Sequence, residues 1–366
     1  MNTVQQLRAA GQSVWYDNIE RRLINNGELE GMVKRGEILG LTSNPTIFKN
    51  AIVNSNDYDE SLAKVRGAAL SDTEVFFTLA IEDICSVAQM FRPVYDESQG
   101  LDGMVSLEVN PDLAYETQAT LEEAKNLWKR VNQPNLMVKI PATQAGLPAI
   151  TEAIAAGINV NVTLIFSLER YAEVIEAFLS GLEKRAANGQ PLDHIASVAS
   201  FFVSRIDTKV DPRLAALAGE NPKAGQLAGK AAIANASLAY RLFQEQFGSS
   251  RFEALKHKGA RVQRPLWAST STKNPEYRDT IYVEELIAPH TVNTMPEKTL
   301  KAFLDHGKVE PRLEENIHTA EAVFSDLESL GISMAQVTEE LEKEGVSSFS
   351  ASFRDLVDAI HTRRQA

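Results

Sequence analysis

Leu136-Met137-Val138-Lys139-Ile140 is a run of β-forming residues interrupted by one lysine, and where that lysine points decides how the chain is read. Two other short runs break in the same way. In Val105-Ser106-Leu107-Glu108-Val109-Asn110 and in Val160-Asn161-Val162-Thr163-Leu164, apolar and polar residues alternate. Successive side chains on a strand face opposite sides. The apolar set must therefore face one layer, and Ser106, Glu108, Lys139, Asn161 and Thr163 the other.

Working outward, five more β-type runs occur: Val14–Asn18, Ile38–Ser43, Ser197–Val203, Arg264–Ser269 and His290–Thr294. With Val105–Asn110, Leu136–Ile140 and Val160–Phe166 they make eight predicted strands. Amphipathic helical stretches separate them, among them Pro111–Val131, Leu168–Asn188 and Ala224–Phe247. Strand and helix in alternation imply a parallel sheet. Eight such units close into an α/β (β/α)8 TIM barrel. A doubly wound open sheet is disfavoured because G-x-G-x-x-G is absent. An antiparallel sheet with one wet face also shows such alternation, but the helical spacers argue against it.

In a barrel the apolar set faces the helices and the polar set faces inward. Asp17 from the first strand and Asn44 just past the second can join that polar interior. Burying a lysine and two carboxylates is costly unless they pair. Their convergence from several strands predicts a shared polar centre.

The chain has 366 residues, more than the ~250 of a minimal barrel. It is expected to form one domain over 1–366, with the surplus in two places. Residues 45–103 read as a helical insertion that includes Asp72–Gln89. Residues 296–366 read as C-terminal helices, with breaks near Gly331 and Gly345, packed on the barrel and covering its mouth.

Hydrophobic residues make up 44% and charged residues 23%, which implies a folded core. The net charge of -12 argues against nucleic acid and anionic membranes as partners. The lone cysteine, Cys85, precludes an intrachain disulfide, fits a reducing compartment and reads as inert core. Met1–Ala10 carries no secretory pattern, and no apolar run reaches ~18 residues. A cytoplasmic protein is expected, either a monomer or a homodimer. His194, His257, His290, His306, His318 and His361 show no ligand-spaced pair, so neither a metal nor another cofactor is expected.

A lysine inside a barrel is either a protonated ion-pair partner or a nucleophile. A free lysine has a pKa of ~10.4, leaving about one amine in a few thousand neutral at pH 7. Desolvation shifts that balance toward the neutral amine. A neutral amine can form a Schiff base, whose iminium is an electron sink for carbon–carbon cleavage without a metal. Glu108 and Asp17 are the inward carboxylates available for proton transfer. Thr163 could hold a water; Asn44, Asn161 and Ser200 could hold hydroxyls of a small polyol. Arg205, after the sixth strand, and Lys273, after Ser269-Thr270-Ser271-Thr272, sit in hydroxyl-rich loops late in the barrel, the usual phosphate cradle.

Five segments carry a resemblance: Leu41-Thr42-Ser43-Asn44-Pro45, Ser106-Leu107-Glu108-Val109, Met137-Val138-Lys139-Ile140-Pro141-Ala142, Asn159-Val160-Asn161-Val162-Thr163-Leu164-Ile165-Phe166-Ser167 and Trp267-Ala268-Ser269-Thr270-Ser271. In this order they resemble the signature segments of the transaldolase family. The resemblance implies a class I aldolase-type barrel of the pentose phosphate pathway, free of cofactors, acting on sugar phosphates. It gives Lys139 the Schiff base, Asp17 the cleavage step, and Glu108 and Thr163 the catalytic water. It gives Asn44, Asn161 and Ser200 donor-hydroxyl contacts, and Arg205 and Ser269 phosphate contacts. Lys273 stands where an arginine is often found, in a longer loop; the insertion and tail resemble the longer bacterial subgroup.

Fructose 6-phosphate aldolase shares the fold and the lysine, but carries glutamine and tyrosine where this chain has Glu108 and Phe202. Both residues favour transaldolase. A non-catalytic sugar-phosphate binder, with Lys139 a protonated contact, is the alternative from another class.

Overall fold

The computed structural model describes residues 1–365. Ala366, the last residue of the expected tail, lies outside them. Eight parallel strands close into a barrel in chain order. They are β1 Gln12–Asp17, β2 Leu41–Thr42, β3 Val105–Glu108, β4 Leu136–Pro141, β5 Val160–Ile165, β6 Ser197–Phe202, β7 Arg264–Ala268 and β8 Thr291–Met295. The expected (β/α)8 architecture holds, and most strand ends lie within two residues of the expected ones.

The exception is β2, expected over Ile38–Ser43 and regular only at Leu41–Thr42. The indole of Trp15 lies flat against Gly40, where a Cβ would sit 2.8 Å from three of its ring atoms. Only a residue without a side chain fits there. Backbone bonds are nonetheless made on both sides: Leu39 N–H donates to Val14 O at 2.7 Å, and Leu41 N–H to Met104 O at 2.9 Å.

The lower end of the barrel, where the strands begin, is filled by a buried ion pair. Arg264 Nη2 lies 3.2 Å from Asp102 Oδ1. Ser13 Oγ donates to Asp102 Oδ2 at 2.8 Å, and Trp15 Nε1 to Asp102 Oδ1 at 3.1 Å. Every polar atom of the carboxylate is thus used, which offsets the cost of burying the charge. This plug leaves only the upper end open, where the strands terminate.

Between β2 and β3 run helices Pro45–Val53, Asp59–Val65 and Asp72–Glu97. The third extends past the expected Gln89 and through Pro93. Pro111–Val131 divides into a 3-10 turn at Pro111–Leu113 and a helix at Thr117–Val131. Ala224–Phe247 likewise divides, its continuous helix being Ala231–Phe247.

The tail forms Glu297–His306, Leu313–Ser329 and Met334–Gln365. Gly331, with φ +77°, separates the last two as expected. Gly345 does not break the chain. It lies inside the last helix, on a buried stripe running Val337, Leu341, Gly345, Phe349, Phe353, Leu356 and Ile360. A Cβ at Gly345 would meet Leu164 Cδ2 at 3.0 Å, so its glycine permits a close approach to the end of β5. Aromatic packing fixes the same helix further along: Phe353 meets Phe76 edge-on at 5.4 Å, and Phe76 meets Phe48 at 5.5 Å. No helix among the described residues is long and apolar enough to cross a membrane.

Asp102→Ala should strand the Arg264 guanidinium at the barrel floor and destabilise the fold by about 3 kcal/mol. Urea denaturation reads this. Turnover per folded molecule should be unchanged, since the plug lies at the end of the barrel opposite the cavity.

Candidate active site

Strand register brings the polar interior together. Glu108 on β3 pairs with Lys139 on β4, and Lys139 pairs with Asn161 on β5. Side chains of paired neighbours point the same way, so all three face inward. Lys139 is 5% exposed and Glu108 6%. Lys139 Nζ lies 3.2 Å from Glu108 Oε2 and donates to Ser43 O at 3.1 Å. The contact with Glu108 has ion-pair distance without hydrogen-bond alignment, and Glu108 Oε2 has no hydrogen-bond partner among the described residues. Burial pushes the Glu108 carboxyl above the usual range, with Lys139 pulling it partly back.

Asp17 ends β1 and accepts a hydrogen bond from Thr42 Oγ1 at 2.7 Å. Burial raises its carboxyl too, against the pull of Lys139, of the Thr42 hydrogen bond and of Lys273. Thr163 lies within a strand distorted by a bulge: the β5–β6 register shifts between Val162 and Ile165, and Leu164 has φ +61°. A bulky residue in the left-handed region is strained by about 1–3 kcal/mol, and bulges commonly re-aim a neighbouring side chain. Here the neighbour is Thr163, whose buried Oγ1 has no hydrogen-bond partner among the described residues.

Above these groups opens a cavity of about 220 Å³. Asp17, Asn44, Lys139, Thr163, Ser200, Phe202, Arg205, Ser269 and Lys273 all line it. Of the residues singled out from the sequence, Glu108 and Asn161 stand behind this surface. Glu108 reaches the cavity through Lys139. Asn161 donates to Ser106 Oγ at 3.0 Å and accepts from Ser200 Oγ at 2.7 Å, so it orients Ser200. Asn44 spends its Oδ1 capping helix Pro45–Val53, accepting from Ile47 N–H at 3.0 Å, which leaves its amide donors for the cavity.

Across the cavity from Lys139 stand two cations that make no ion pair among the described residues. Arg205 opens helix Ser204–Leu217 and lies over the Phe202 ring, 5.2 Å from its centroid. Lys273 donates to Ser271 Oγ at 2.7 Å. Burial pulls the Lys273 ammonium down, and Arg205 beside it does the same. Ser269, with φ +56°, brings its hydroxyl to 3.0 Å from that of Ser204. Two like charges held near a helix N-terminus and hydroxyls suit a dianion.

The two cations are held in relation to each other. Tyr277, beyond Lys273, donates to Asp211 Oδ2 at 2.7 Å, and Tyr282 donates to Asp207 Oδ2 at 2.7 Å. Both aspartates lie on the helix of Arg205. Burial raises the Asp207 carboxyl to about 7.

Several lining residues escaped sequence reading: Thr42, Thr294, Ser271 and above all Phe349 from the last helix. The Phe349 ring centroid lies 5.7 Å from Lys139 Nζ. Among the described residues no three His, Cys, Asp or Glu side chains converge as a metal site. Cys85 is half-buried at Val131 O, 3.6 Å away, and burial raises its thiol.

Residues 14–360 match the transaldolase/fructose-6-phosphate aldolase family. A transaldolase of Parafrankia sp. (strain EAN1pec) is 51% identical over 358 residues, covering 98% of this chain and 96% of that protein. Transaldolases of Saccharopolyspora erythraea and Thermobifida fusca are 48% and 50% identical, each covering 98% of this chain and 97% of the relative.

Arg205→Ala should weaken binding of inorganic phosphate by about tenfold or more, the scale of a hydrogen bond to a charged group. Isothermal titration calorimetry measures this, and an unchanged Kd would remove Arg205 from the anion site. Tyr277→Phe should weaken it by about two- to threefold, because the Lys273 loop loses its tether.

Proposed function

The chain belongs to the transaldolase/fructose-6-phosphate aldolase family, and from that premise we propose how its residues perform the transfer. Its activity is that of a transaldolase. It moves a dihydroxyacetone unit from sedoheptulose 7-phosphate to glyceraldehyde 3-phosphate, giving erythrose 4-phosphate and fructose 6-phosphate. Near-full-length relatives at about 50% identity support transaldolase over fructose 6-phosphate aldolase. Glu108 and Phe202 favour the same assignment.

One observation carries the mechanism. A buried lysine sits beside Glu108 at the floor of the cavity that Asp17 also lines, and the far wall offers two cations without carboxylate partners among the described residues. The cations bind a sugar phosphate and so aim the carbonyl of the chain toward Lys139. Lys139 gives its proton to Glu108, and the resulting neutral amine attacks C2 of the ketose and forms a carbinolamine. Glu108, whose carboxyl is raised by burial, passes a proton to the departing hydroxyl through a water held at Thr163. Water leaves and the iminium forms.

Asp17 then takes the proton of the C4 hydroxyl. The C3–C4 bond breaks, its electron pair flows into the iminium, and the aldose phosphate departs. An enamine of the three-carbon unit stays on Lys139. Its C3 adds to the aldehyde carbon of glyceraldehyde 3-phosphate, and Asp17 returns the proton to the new alkoxide. Hydrolysis of the new iminium, through Glu108 and Thr163, frees fructose 6-phosphate. Asn44 and Ser200 hold the donor's hydroxyls, with Asn161 fixing Ser200.

The same reading makes this a cytoplasmic enzyme, monomeric or homodimeric, with small sugar phosphates rather than nucleic acid as its partners. The charge of -12 and the single cysteine support it.

Borohydride reduction in the presence of fructose 6-phosphate should leave the three-carbon unit attached to Lys139, located by peptide mass mapping. No mass gain would support a sugar-phosphate binder. Lys139→Ala should lower kcat by about 10⁴-fold or more with the fold retained. Glu108→Gln should slow single-turnover Schiff-base formation by about 10²-fold with substrate affinity little changed, and equal losses in both would end its role in the relay.

A further inference from the structure

The strand ends account for most of the cavity, but one wall comes from the tail. Phe349 lines the cavity, is 4% exposed and lies over the nitrogen that forms the Schiff base. Resting on the Schiff-base reading above, we propose that Phe349 shields the Lys139-bound three-carbon enamine from water. The unit is thereby kept for the acceptor aldehyde instead of being released.

Two effects of an aromatic ring at this place can be separated. Its π face favours a positive nitrogen. That nitrogen is positive in the ammonium and in the iminium alike, so this effect does not distinguish the steps. Exclusion of water from the enamine carbon does. For release, the enamine takes a proton from water at C3 to become an iminium, a step that transfer never uses. Water then adds at C2, as it also does to free the product of transfer, and the carbinolamine expels the amine, giving free dihydroxyacetone and Lys139. A ring beside the nitrogen limits the approach of water to C3 and leaves the acceptor's route beside the two cations unobstructed.

The surroundings hold the ring in place. Gly345, one turn earlier, allows the helix to lie against Leu164 and Phe166. Phe166 packs on Phe202 at 5.1 Å, so an apolar lining runs from the tail to the cavity wall beside Arg205. One turn later Phe353 is locked between Phe76 and Phe77. Beyond it Thr46 Oγ1 donates to Ser352 Oγ at 2.9 Å, and Lys49 pairs with Asp355 at 2.6 Å. The helix Pro45–Val53 that begins at Asn44 is therefore joined directly to the helix of Phe349.

The test compares Phe349→Ala, Phe349→Leu and Gly345→Ala with the unaltered enzyme, using fructose 6-phosphate as donor. The readout is the ratio of free dihydroxyacetone released to unit transferred to erythrose 4-phosphate. Phe349→Ala should raise that ratio by about tenfold, and Phe349→Leu, which restores bulk, should bring most of it back. Gly345→Ala should shift the ratio in the direction of Phe349→Ala by lifting the helix off Leu164, and it carries the test if Phe349→Ala does not fold. A ratio within about twofold of the unaltered enzyme in every folded variant overturns the shield. Borohydride trapping on the unaltered enzyme separates the two ideas. Absence of trapping sinks the Schiff-base reading, whereas trapping with an unmoved ratio sinks only the role of Phe349.

Discussion

Everything in this molecule is arranged around one amine held inside a closed barrel next to carboxylates. An isolated buried charge would cost several kcal/mol after relaxation, so Lys139 cannot sit there alone. Glu108 on the adjacent strand supplies the opposite charge at 3.2 Å, and Ser43 O supplies an acceptor. The pairing is deliberately imperfect in its consequences. Glu108 Oε2 is near enough to balance charge and too poorly aligned to be consumed by a hydrogen bond. A carboxyl raised by burial holds a proton more readily than a surface one, which suits the relay proposed for it. An ideally hydrogen-bonded pair would be the better structural element and the worse proton relay.

Two charged clusters in the barrel meet the same burial problem in different ways. Near the strand starts both oxygens of Asp102 accept hydrogen bonds and both terminal nitrogens of Arg264 donate them. At the upper end Thr163, Glu108, Arg205 and Lys273 are left with unspent bonding capacity. Completed polar networks stabilise, and incomplete ones are available to a ligand. The strain at Leu164 and the left-handed backbone at Ser269 lie at the upper end as well, next to residues that line the cavity.

The strands were legible because alternation on a strand has one reading once helices separate the runs. Lys139, Glu108, Asn161 and Thr163 announced themselves as polar residues in positions that should be apolar. Asn161 was read as a contact, but its two hydrogen bonds to Ser106 and Ser200 depend on register, which no single run reveals. β2 was overextended because Gly40 reads as an ordinary strand residue until Trp15 is known to press on it. Gly345 was read as a break, although it sits in a stripe of apolar residues spaced by three and four, the signature of a continuous helix. That spacing was in the sequence and outweighed the glycine. The place of Phe349 in the cavity was not legible, since an apolar stripe says that a face is buried and not what it is buried against.

Whether the last helix acts as a moving gate or a fixed wall turns on what holds it. Among its ion pairs with the rest of the chain, Lys49–Asp355 and Arg354–Asp112 involve exposed side chains and pairs of that kind contribute ~0–1 kcal/mol each, whereas Arg364–Asp72 and Arg170–Glu342 are mostly buried. Released one by one, they would let a helix swing. The cluster of Phe48, Phe76, Phe77 and Phe353 is different: it is buried, each aromatic pair adds about 0.5–1.5 kcal/mol beyond its buried area, and Leu356 and Ile360 extend it to the end of the helix. Opening this helix would expose that whole apolar set to water at every turnover. A cover fixed by its core side and open along the Arg205–Lys273 wall needs no such motion. Entry of sugar phosphates from the cationic side, as the proposed anion site requires, is compatible with a nitrogen of Lys139 that stays under an aromatic ring.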